Sequence, residues 1–148
     1  MRNILLIFII LSSLAYGQRD NLSDWCGHYE GLFFLEFPDR TKDSLFLSFD
    51  FQATDDPLVW RQLFIFKSEK HGEIVKDYLL KWDESYVDGR HYFLDERNGI
   101  LIDETFLNNT FYAHYEVLKS YYQTMLRKTD NGIYFEIVCS RDKGGRFT

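Results

Sequence analysis

Trp25 to Phe37 reads WCGHYEGLFFLEF. Its odd positions, Trp25, Gly27, Tyr29, Gly31, Phe33, Leu35 and Phe37, are apolar, aromatic or small, while the even ones include His28, Glu30 and Glu36. Period two over this length predicts a β-strand with its odd side turned to a core. Gly27 and Gly31 inside it mark a bend or a close approach. The stretch also holds Cys26, one of only two cysteines; the other, Cys139, ends the last strand-like run of the chain.

The same alternation recurs downstream. Ser44–Gln52 sets Leu45, Leu47, Phe49 and Phe51 against Ser48, Asp50 and Gln52. Leu58–Lys67 sets Trp60, Gln62, Phe64 and Phe66 opposite Arg61 and Lys67. Glu73–Trp82 places Tyr78, Leu80 and Trp82 inward. His91–Arg97 and Ile100–Leu107 flank Asn98-Gly99, a strong hairpin signal because both residues accept positive φ. Thr110–Leu118 turns Phe111, Ala113, Tyr115 and Val117 inward, and Tyr121–Lys128 and Ile133–Cys139 follow, with turns at Asn108-Asn109 and at residues 129–132. Residues 18–24 read as a polar lead-in and residues 140–148 as a frayed Gly-rich tail. No ten-residue window keeps a helical stripe.

About nine strands joined by short turns must be antiparallel to their neighbours. The expected fold class is all-β: an up-and-down meander of about 8–10 strands closed into a barrel, with a sandwich as the alternative. Closure would bring the first and last strands side by side and remove their exposed edges. We therefore expect a disulfide between Cys26 and Cys139 across that seam, worth roughly 4.7 kcal/mol for a loop of about 100 residues; the alternative is two free buried thiols. By alternation Cys26 points out and Cys139 in, so the bond would need a bulge.

Ahead of this domain, Arg2, the apolar run Ile4–Leu11 and the small residues Ala15 and Gly17 around Tyr16 make the three-part pattern of a secretory signal, with cleavage after Gly17. The run is too short for a membrane span, which needs about 20 residues. The expected organisation is thus a signal peptide over residues 1–17 and one barrel domain over 18–148, in a secreted or periplasmic protein without stable membrane insertion. Seventeen basic residues stand against 23 acidic ones, a net charge of −6. Removing the leader takes away Arg2 and makes the chain one unit more negative, which argues against nucleic acid as a partner. A monomer or dimer is expected.

Fourteen Phe, ten Tyr and three Trp can fill a core while bringing hydroxyls into it. The inward polar set is Tyr29, Gln62, Tyr78, Tyr115, Tyr122 and Thr124, and with Trp60 it forms the candidate ligand site: an apolar interior with a few orienting polar groups. Each tyrosine could instead satisfy itself on backbone or at a barrel mouth. His28, His71, His91 and His114 lack metal-ligand spacing, and no metal or other cofactor is expected. The acids Asp83, Glu84, Asp88, Asp95 and Glu96 do not match a calcium loop and read as a solvated connection. No serine sits in a nucleophile elbow. Asn21-Leu22-Ser23 and Asn108-Asn109-Thr110 are glycosylation triplets.

Trp25-x-Gly27-x-Tyr29-x-Gly31 resembles the Gly-x-Trp-like opening of calycin-type barrels: lipocalins, fatty-acid-binding proteins, avidins and nitrobindin-like domains. The resemblance covers about seven residues and the meander layout. It implies an interior that holds a small hydrophobic or aromatic molecule. The late helix of lipocalins, the haem histidine of nitrobindin-like domains and a biotin-site pattern have no counterpart here. Beside this binding role stand two others: a solid interaction module acting through loops such as residues 83–90 and 53–57, and, last, an isomerase or lyase using a tyrosine or Glu104.

Overall fold

Nine strands form where the alternation puts them. The computed structural model describes residues 21–86 and 88–141; the expected leader with its cleavage point, and the tail from 142 to 148, lie outside these. The strands are β1 (Gly27–Glu36), β2 (Lys42–Ala53), β3 (Val59–Ser68), β4 (Gly72–Trp82), β5 (His91–Asp95), β6 (Leu101–Phe106), β7 (Thr110–Val117), β8 (Ser120–Thr129) and β9 (Gly132–Arg141). Each pairs antiparallel with the next in chain order. The sheet curls into a nearly closed barrel, so that Phe33 of β1 meets Phe135 of β9 with ring centroids 5.6 Å apart. The described residues contain no α-helix.

One end is sealed. Leu22–Trp25 form a short 3-10 turn capped by Asn21, whose side chain accepts from the Ser23 amide at 3.0 Å. This corrects the reading of a polar lead-in over residues 21–24; residues 18–20 lie outside the described ones. Leu22 and Trp25 lie three apart, fall on one side of the turn, and are both buried. The Trp25 ring sits 5.7 Å from Phe51, 6.0 Å from Phe106 and 5.0 Å from Phe111. Trp25 is therefore a plug and not the first residue of the first strand.

The hairpin turns follow their chemistry with one surprise. Asn108 and Asn109 take φ of 52° and 56°, as residues that tolerate the left-handed region should. Around Asn98-Gly99 the loop is wider than two residues. Positive φ falls on Arg97 and Gly99, the Asn98 side chain accepts from the Ile100 amide at 3.0 Å, and the Glu96 amide donates to the Ile100 carbonyl. Leu118 and Lys119 also turn through positive φ, 50° and 62°, which neither side chain favours. The outer wall carries a belt of ion pairs. Arg61 holds Asp77 through two bonds of 2.8 and 3.0 Å, and Lys81 donates to Asp95 at 2.7 Å.

The expected disulfide is overturned: Cys26 and Cys139 are both exposed and unpaired. The reason is parity. With nine antiparallel strands in sequence, β1 and β9 run the same way. The beginnings of the two strands are neighbours: Tyr29 lies beside Gly132, and its hydroxyl accepts from Lys128 Nζ at 3.2 Å. Extending that register puts Cys139 level with the far end of β1, near Phe37. The two sulfurs sit at opposite ends of the seam, on the order of 35 Å apart along it at ~3.3 Å per residue, whereas a disulfide requires Cα atoms within about 7 Å.

Candidate functional site

The end away from Trp25 is open. Inward side chains near the sealed end are buried: Phe51, Leu80, Tyr92, Phe106 and Phe111 show 3% exposure or less. Towards the other end Leu47, Phe66, Tyr78 and Tyr115 also face inward yet remain only half-buried. An inward residue that keeps solvent contact lines a mouth. Here β5 ends at Asp95 and β6 starts at Leu101, so the wall is low on that side.

The polar interior lies between plug and mouth. Gln62, on β3, is 1% exposed, and Glu104, on β6, is 7% exposed. Gln62 Nε2 and Glu104 Oε2 find no hydrogen-bond partner among the described residues. Glu104 stands between Tyr92 and Ala113 in the sheet, and the small Ala113 leaves its carboxyl room. Burial pushes this carboxyl up to about 8, so it holds its proton at neutral pH. Tyr78 is the register partner of Gln62. Burial, and then the nearby Glu96 carboxylate, raise the pKa of its hydroxyl well above the ordinary value. Tyr115 is pushed up to about 12, chiefly by burial and then by Glu96, with Tyr122, Glu104 and Cys139 adding smaller effects. Tyr115 stacks on Tyr122 at 5.2 Å with rings 11° from parallel. Three phenols, two carboxyls and a buried amide thus face the interior in this half of the barrel.

The expected site residues divide three ways. Gln62, Tyr78, Tyr115 and Tyr122 belong to this polar part of the interior, and Thr124 faces it opposite Ala113, half-buried. Trp60 is 6% exposed in the sealed half, edge-on to Tyr92, and works as core. Tyr29 faces inward too, but at the seam. It donates to the Trp25 carbonyl at 2.9 Å, and Lys128 Nζ lies 5.0 Å from its ring centre. Glu96 was passed over as a loop acid, although Tyr92, Leu94, Glu96 continues the inward alternation by one step. Asp83 is buried instead of solvated; it accepts from both the amide and the hydroxyl of Ser85, at 2.9 and 2.6 Å, and so fixes its own loop.

A second concavity runs along the seam. It is a groove of about 680 Å³ bounded by residues 28–34 of β1 and 131–137 around the start of β9, with Leu47, Phe49, Phe64 and Leu126 in its floor. His28 lies on its outer rim, bonded to Asp50 at 2.8 Å and Glu30 at 3.0 Å, chiefly through which its pKa is raised. Among the described residues no three of His, Cys, Asp and Glu are grouped to hold a metal ion. Comparison with protein-family models, with curated protein sequences and with solved structures finds no match to this chain.

Proposed function

We propose that the chain is a small-molecule-binding barrel whose open half holds a hydrophobic or aromatic ligand. The ligand lies against Tyr115 and Tyr122, and its polar group satisfies Gln62 and Glu104. The observation that carries this is the pair of buried polar atoms, Gln62 Nε2 and Glu104 Oε2, left without partners in an otherwise aromatic interior. A buried polar group without a partner costs about 1–3 kcal/mol. A ligand offering an acceptor to Gln62 and a complementary group to the protonated Glu104 recovers that cost. The phenols of Tyr78 and Tyr115 stay protonated at any physiological pH and act as donors, not bases. The rival reading, a solid barrel acting through its loops, explains the packed half around Trp25 but not these two atoms.

The test is native mass spectrometry on protein purified from its source, wild type beside Gln62→Leu. The wild type should retain a small molecule, and Gln62→Leu should lose it while unfolding at the same temperature or higher, because an orphaned amide leaves the core. Equal occupancy in the two proteins, or a clean ligand-free mass for the wild type, contradicts the proposal.

A further inference from the structure

We propose that the seam between β1 and β9 accepts one extended strand of a partner protein, antiparallel to both edges, which completes a ten-stranded barrel. Parity carries the idea. The sheet order ends at β1 on one side and β9 on the other, and no ladder joins them among the described residues. The two edges are parallel, so a single inserted strand runs antiparallel to both and continues the up-and-down pattern without a break. An edge is a row of unpaired amides and carbonyls, and main-chain pairing is what an added strand supplies.

Three features suit the slot to a strand. The groove spans seven residues of each edge, or roughly 23 Å at ~3.3 Å per residue, close to the length of an ordinary strand. Its floor is apolar, formed by Phe49, Phe64 and Leu126, with Tyr29, Phe33 and Phe135 at its sides, so alternate residues of the incoming strand should be apolar. Neither edge carries the lysine or proline that most often blunts an exposed strand. HYEGLFF over 28–34 and GIYFEIV over 132–138 contain no Lys and no Pro. On the outer face Leu32, Phe34, Tyr134 and Val138 are 63%, 75%, 48% and 51% exposed, an apolar surface flanking both sides of the slot. Glu30 and Glu136 lie on the same rims and favour lysine at outward positions of the partner. A second copy of this barrel could lay edge against edge, but its own β1 and β9 are fixed in a sheet and cannot descend to the floor. A free extended segment can.

The probe is a synthetic decapeptide, acetylated and amidated, that alternates Val or Ile with Lys or Thr. Amide hydrogen exchange of the whole chain is followed with and without it. The seam-facing amides, about every second one in residues 28–34 and 132–137, should exchange quickly in the free protein and slow by about tenfold or more with peptide present, while those bonded to β2 and β8 and those of the other strands stay unchanged. The same peptide N-methylated at alternate residues should give no protection. Unchanged exchange with the unmodified peptide overturns the proposal. So does a seam already protected in the free protein at every dilution, or protection that tracks a concentration-dependent dimer without peptide.

Discussion

Glu104 stands in the middle of strand β6, in LIDETF, where alternation turns it inward and hydrophobicity does not recommend it. Its cost is paid in proton binding. The folded chain keeps the Glu104 proton up to about 8, whereas the ordinary carboxyl releases it near 4.5. Between those values the folded state binds more protons than the unfolded one, so this group's contribution is fully present below 4.5 and is lost as pH rises towards 8. At about 1.4 kcal/mol per pH unit the whole effect is several kcal/mol. Glu104→Gln should therefore unfold at a denaturant midpoint much less dependent on pH between 5 and 8, and should be the more stable protein at pH 8. Parallel pH profiles for the two proteins would show that Glu104 is not buried as described. The inward facing of Gln62, Tyr78, Tyr115 and Tyr122 was legible residue by residue, because alternation needs only a correct phase. That Trp60 packs into the core of the sealed half was not, since depth along a barrel depends on where the plug sits.

At the scale of elements, strand positions were legible to within two or three residues, because turns with Asn, Gly and Asp punctuate a period-two pattern. The short 3-10 turn escaped notice because four residues cannot display a helical period. It organises the sealed end nonetheless. Trp25 fills the barrel base against Phe51, Phe106 and Phe111, and its carbonyl holds the Tyr29 hydroxyl. Trp25→Ala should cost about 3–5 kcal/mol, the range for emptying a buried aromatic site, measured by urea unfolding. A loss below 1 kcal/mol would mean the plug is not seated. The Leu118–Lys119 turn was equally unannounced: nothing in those side chains asks for positive φ, and the turn exists because strands β7 and β8 pair in register up to Val117 and Ser120.

At the scale of the molecule, the strand count was read correctly but its consequence was not. Closure alone suggests that first and last strands adjoin, and two cysteines near the chain's two ends then suggest a staple. An odd count makes those strands parallel and carries the cysteines to opposite ends of the seam. The same parity leaves two unpaired edges and a groove, while Trp25 plugs one end and the short β5 and β6 make a low wall at the other. Both proposals rest on this arrangement. It can be tested with the native cysteines alone, since Cys26 and Cys139 are exposed and unpaired. Nitroxide labels on the two thiols, read by double electron–electron resonance, should attach two per chain and report a separation of roughly 30–40 Å, the length of the seam at ~3.3 Å per residue. Thiols that refuse the label until reduced, or a separation below about 10 Å as bridged cysteines would require, would contradict the parallel seam.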